Sequence, residues 1–104
     1  SLHGRELANV VYAVARTGVR SRQAPDFFDA LASAAVVRMG DFSPQALNNM
    51  AWAFAIADHT SPALFDALSL ALAVRMGDFK PQDFSNMAWA FATAGYASPA
   101  LFDA

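Results

Sequence analysis

PQALNNMAWAFA at residues 44–55 returns 37 positions later as PQDFSNMAWAFA at residues 81–92. A more diverged copy, GRELANVVYAVA, occupies residues 4–15, with Asn9 matching Asn49 and Asn86, and Tyr12 matching Trp52 and Trp89. The segment between copies repeats as well. Pro25, Phe28, Asp29, Ala30 and Leu31 recur as Pro62, Phe65, Asp66, Ala67 and Leu68, and the series restarts at Pro99, Phe102 and Asp103. Self-similarity with a period of about 20 to 50 residues marks an array of stacked units, none of which can bury its apolar face alone.

The periodicity inside each unit is helical. In residues 4–17, Leu7, Val10, Val11 and Val14 fall at i, i+3, i+4 and i+7, which puts them on one face of an α-helix, and Gly18 is placed to cap its end. Pro25 opens a second helix at its first turn, with Asp26 suiting the positive end of the dipole. Phe28, Leu31, Ala32 and Ala35 form its apolar stripe, and Arg38 with Gly40 closes it. Ser43, Ser61 and Ser98 each precede a proline and fit the N-cap of the helix that follows. Lys80 takes the equivalent place in the third unit, so that helix start is expected to be weaker by about 1 kcal/mol. Alanine-rich runs such as AWAFAIA favour helix over strand and let helices approach closely. The predicted fold is all-α: an α-solenoid of stacked antiparallel helix pairs, with units at residues 1–40, 41–77 and 78–104, the last incomplete. The chain lacks an initial Met and polar capping units at its ends, which leads to the expectation of a fragment of a longer array.

Composition narrows the function classes. With 56% apolar and 15% charged residues the chain is a folding sequence rather than a disordered one. It contains no cysteine, which removes disulfides and thiolate zinc sites. Charged residues interrupt every apolar run short of the about 18 residues a membrane span requires. His3 and His59 stand alone at non-equivalent positions, so no metal site is expected, and no cofactor. No phosphate-cradling glycine loop or nucleophile motif is present, and Asp66 and Asp103 read as dipole partners near helix starts. The chain is therefore not expected to be an enzyme. The net charge of −2 divides unevenly, with +2 over residues 1–40 and −4 over residues 41–104.

Projected at about 100° per residue, the first helix of the middle unit places Leu47, Met50, Ala51, Phe54 and Ala57 on a core side. The opposite side holds Gln45, Ala46, Asn48, Asn49, Trp52 and Ile56. Core positions keep their apolar character between copies, whereas Glu6/Ala46/Asp83, Ala8/Asn48/Ser85 and Arg16/Ile56/Thr93 change, which marks the variable strip as exposed. Two readings of this strip stand side by side. In one, an Asn and an aromatic ring per unit form a ladder for a ligand, with the variable side chains selecting it. In the other, Asn9, Asn49 and Asn86 bond to turn backbone and the rings wedge between units. The loop at residues 19–24 is three residues longer than its later counterparts and carries Arg20 and Arg22; it is read either as a contact or as a tolerated insertion.

The pattern PQ-L-N-WA-A in a first helix, then a short turn and a proline-led second helix, resembles the octotricopeptide repeat, whose proteins often carry a RAP domain. Ser61-Pro62-Ala63-Leu64-Phe65 stands where members of that family often have a proline-rich pentapeptide ending in Trp. The resemblance covers essentially the whole chain. It implies an α-solenoid that binds RNA in a mitochondrion or chloroplast, in RNA processing, translation or ribosome assembly. The candidate RNA contacts are Arg5, Asn9, Arg16, Asn48, Asn49, Lys80, Ser85, Asn86 and Thr93. At about 1–3 kcal/mol per stacked base, three units barely reach the roughly 8 kcal/mol of micromolar affinity, so this segment alone is expected to bind RNA weakly. Neighbouring repeats of the same chain, or protein subunits of a larger complex, are the other expected partners. A protein–protein scaffold that reads no RNA sequence is the alternative.

Overall fold

The computed structural model describes residues 4–59 and 61–96, with side chains from Glu6 onward. These residues form five α-helices and no strand: α1 (Gly4–Arg16), α2 (Pro25–Val37), α3 (Pro44–Ile56), α4 (Pro62–Val74) and α5 (Pro81–Ala94). Single turns of 3-10 helix at Ser21–Gln23, Met39–Asp41 and Met76–Asp78 join them. The chain is thus all-α, and α2 to α5 begin at the four prolines that the sequence marks as first-turn residues. Ser98 and the restart at Pro99, Phe102 and Asp103 lie outside the described residues, as does His3.

Two layers result. Helices α1, α3 and α5 lie side by side, α3 in the middle, and α2 packs beside α4 against them. The core between the layers is built from Phe28, Phe54, Phe65 and Phe91, all essentially without solvent contact, with Leu47, Met50 and Leu68 among them. The five residues projected onto the core side of α3 are all fully buried. Each large apolar side chain removed from water in this way contributes about 1.5–3 kcal/mol before chain entropy is charged against it.

The helix ends follow local chemistry. Ser43 Oγ accepts from Ala46 N at 3.1 Å and Ser61 Oγ from Leu64 N at 3.3 Å, the expected N-caps. At α5 the missing serine is partly replaced: Asp83 Oδ2 accepts from Lys80 N at 2.9 Å, which is half of a capping box. The first-layer helices all end on a left-handed residue, Gly18 (φ 86°), Asp58 (φ 63°) and Gly95 (φ 73°). Gly40 is not such a cap; it lies inside the 3-10 turn after α2, where Arg38 N bonds to Ala34 and Ala35 carbonyls.

The long loop is also explained by a helix end. Arg20 Nη1 donates to the Ile56 carbonyl, Ser21 N to Ala57 O at 2.8 Å, and Ser21 Oγ to Asp58 O at 3.0 Å. Three additional residues therefore carry donors onto the open carbonyls of α3, where a cation also suits the dipole. Arg75 acts similarly across the second layer, its Nη1 donating to the Phe42 carbonyl at 2.6 Å.

Candidate nucleic-acid interface

The face of α1, α3 and α5 turned away from α2 and α4 carries a groove of about 360 Å³, lined by Tyr12, Asn48, Asn49, Trp52, Asn86 and Trp89. The lining is one aromatic ring per first-layer helix, together with carboxamides from α3 and α5. The rings stand here because Tyr12, Trp52 and Trp89 occupy the same register of successive helices, opposite the buried Phe54 and Phe91. Tyr12 and Trp52 are tilted against each other with centroids 5.4 Å apart. The Arg16 guanidinium sits 5.7 Å from the Tyr12 centroid, a cation–π contact. Trp89 is 49% exposed, a large value for an aromatic side chain. Tyr12 and Trp52 thus bridge α1 and α3, as the wedging reading expects, and all three rings line the groove.

The asparagines differ among themselves. Asn49 is half-buried in the groove wall and Asn86 is exposed there, its Oδ1 accepting from Gln82 Nε2 at 3.2 Å. Among the described residues neither has a hydrogen bond to turn backbone. Asn9 is exposed on α1 and lies off the groove lining.

Asn48 requires a correction. It was expected to be exposed, and it is only 8% exposed, its Nδ2 donating to Asp83 Oδ1 at 3.0 Å. A carboxylate only accepts, so this bond fixes which end of the amide faces α5. Asn48 Oδ1 is left buried with no partner. The cause is position: residues 46 and 48 lie on the flanks of α3 that meet α1 and α5, not on the arc opposite the core. Asp83, its hydrogen-bond partner, is only partly exposed for the same reason.

The remaining candidates are spread out. Ser85 and Thr93 are exposed on α5, and Lys80 lies on a second depression beside the groove, shared with Asp78 and Asp83. The side chain of Arg5 lies outside the described residues. Of the described arginines, Arg20 and Arg75 are engaged with backbone carbonyls, whereas Arg16 lies over a groove ring, Tyr12.

One recurring constellation was not read from the sequence. His59 stacks on Phe28 and packs against Phe54, with centroids at 5.8 and 5.6 Å, and its Nε2 is 3.4 Å from Asp29 Oδ1, out of line for a hydrogen bond. Thirty-seven positions later, Tyr96 packs on Phe65 and Phe91 at 5.7 and 5.4 Å, and its hydroxyl donates to Asp66 Oδ1. Asp66 is therefore the partner of a ring in the following turn, in addition to its place near a helix start. Burial, then the hydrogen bond and charge of Asp66, push the Tyr96 hydroxyl up to about 12 from 10.0. The signal was present as ring-for-ring replacement at 59 and 96, but His and Tyr do not register as the same letter.

Among the described residues no group of three or more His, Asp or Glu side chains is placed to hold a metal ion. No helix among them is long and apolar enough to cross a membrane. Comparison with known proteins finds no matching family model, no matching curated protein and no matching solved structure.

Proposed function

We propose that the chain is a segment of an α-solenoid with a 37-residue unit, and that it binds single-stranded RNA along the α1–α3–α5 groove. The observation that carries this reading is the groove lining: three aromatic rings in equivalent register, one per helix, with Asn49 and Asn86 beside them. Rings of this kind stack bases regardless of sequence, and carboxamides can then donate to or accept from base edges. Few cations adjoin the groove, so stacking rather than phosphate contact dominates, and affinity depends only modestly on salt. By resemblance to octotricopeptide repeat proteins, the setting is organellar RNA processing, translation or ribosome assembly in a mitochondrion or chloroplast. The chain acts with neighbouring repeats or protein subunits that supply the remaining affinity.

Fluorescence anisotropy with a labelled unstructured RNA at low salt tests the reading. Binding with a Kd in the range of about 10–1000 μM is expected, from one to two stacked bases above a weak electrostatic background. Trp89→Ala removes a half-exposed ring and should weaken binding about five- to 150-fold, the equivalent of about 1–3 kcal/mol. Absence of binding at low salt, or equal binding by the variant, defeats the proposal.

A second reading is favoured by a separate observation on the other layer. Val37, Leu70 and Val74 are 84, 65 and 74% exposed on α2 and α4, an apolar surface suited to a protein scaffold. In that case Leu70→Asp abolishes partner retention while RNA binding is unchanged.

A further inference from the structure

The seam between α3 and α5 holds a polar pair that packing alone does not require. At the corresponding positions of the α1–α3 seam stand Ala8 and Ala46, both small and apolar. Between α3 and α5 these places are taken by Asn48 and Asp83, joined from Nδ2 to Oδ1 at 3.0 Å. The exchange leaves Asn48 Oδ1 buried with no partner among the described residues. A buried acceptor without a donor is unfavourable, and the Ala8–Ala46 seam closes without one.

Asn48 also has a place in the groove. It lies one helical turn before Trp52, and it is shared, like Asn49 and Asn86, between the groove and the adjoining depression of about 470 Å³. The charged residues lining that depression are Asp78, Asp83 and Lys80, two carboxylates against one ammonium, a balance that favours a hydrogen-bond donor over an anion. At the junction two acceptors stand together. One is the orphan Asn48 Oδ1, and the other is Asp83 Oδ1, which has a further lone pair beyond its bond to Asn48. Asn86 supplies the opposite character: its Oδ1 accepts from Gln82 Nε2, which leaves Nδ2 as the end of the amide available to a ligand.

An exocyclic amine beside a ring nitrogen that accepts has the complementary order of groups. Cytosine and adenine carry that edge. Uracil and guanine carry a carbonyl oxygen beside a ring N–H, which would set the carbonyl against the Asp83 carboxylate. We infer that the α3–α5 seam is the base-selecting position of the groove and takes cytosine or adenine. The amine donates its two hydrogens to Asp83 Oδ1 and Asn48 Oδ1, and Asn86 Nδ2 donates to the adjacent ring nitrogen. Because Asn48 Oδ1 has no solvent contact, side chains of the groove wall rotate aside as the base enters. The inference rests on the groove being an RNA site. It gives selection to the pair that differs between units, while the rings common to all units stack without choice.

Fluorescence anisotropy at low salt with labelled hexamers of cytidine and of uridine tests this on the 104-residue chain. The parent should bind the cytidine hexamer about five- to 150-fold more tightly, the range of one good bidentate base contact. A hexamer of zebularine, which is cytidine without its amine, should bind no better than the uridine hexamer. Asn48→Ala combined with Asp83→Ala recreates the apolar α1–α3 pairing; that variant should keep the parent's helical circular dichroism and its affinity for the uridine hexamer, and lose the preference. Equal binding of the cytidine and uridine hexamers by the parent overturns the inference and leaves the groove as an RNA site. So does a preference that survives loss of the amine or of the Asn48–Asp83 pair. Binding of neither hexamer overturns both the selection and the RNA reading of the groove.

Discussion

Breaking the polar pair at the α3–α5 seam should cost stability in a pattern that only a coupled pair produces. Asp83→Ala removes the acceptor from a 92%-buried amide and the partner of Lys80 N. Hydrogen bonds to charged groups contribute about 1.5–3 kcal/mol net, so this variant is expected to lose about 2–3 kcal/mol. Asn48→Ala removes the same bond but also eliminates an unpartnered buried carbonyl oxygen. The two effects oppose each other, leaving a loss of about 1 kcal/mol. The double variant recreates the small apolar pairing of Ala8 with Ala46 and should lose only about 2 kcal/mol in total, a coupling energy of about 1–2 kcal/mol. Urea unfolding followed by circular dichroism measures all four corners of the cycle, with an m-value of about 1–3 kcal/mol/M expected for a chain of this size. Losses that add to within about 0.5 kcal/mol would refute the reasoning, because they would mean that Asn48 and Asp83 are each solvated independently.

Two further outcomes follow from the turn after each first-layer helix. Asp58 holds a left-handed conformation that Gly18 and Gly95 adopt at the equivalent positions, so Asp58→Gly should raise stability by about 0.5–1 kcal/mol, read as a higher melting temperature. The raised Tyr96 hydroxyl favours the protonated folded state; its contribution is complete below pH 10 and is lost as pH rises toward 12. Tyr96→Phe keeps the ring contacts, so its unfolding midpoint should fall less steeply than the parent's between those pH values, and parallel slopes would contradict the assignment.

Much of this architecture was legible in the letters. Prolines preceded by serine located α3 and α4, and projection at about 100° per residue placed five residues on the core side of α3 that are all fully buried, because that side faces the second layer whatever lies on the flanks. What a single projection cannot reveal is a flank. Asn48 and Asp83 change between copies just as exposed residues do, yet they change together because they face each other across a seam, 35 positions apart. The loop at residues 19–24 was equally ambiguous from its arginines. Its function as a cover for the α3 carbonyls depends on a helix that begins 20 residues later, at Pro44. The His59 and Tyr96 clamps were hidden because two chemically different rings solve the same packing problem against the Phe28/Phe54 and Phe65/Phe91 pairs.

The groove itself offers its own reporter. The chain has two tryptophans, Trp52 and Trp89, and both line the groove. Titrating the chain with an unstructured RNA oligonucleotide and following intrinsic tryptophan fluorescence therefore reads occupancy of the proposed surface directly. Base stacking on these rings predicts saturable quenching whose midpoint coincides with that of the anisotropy of the labelled RNA. Anisotropy that rises while tryptophan emission stays constant would place the RNA elsewhere on the surface and contradict the account.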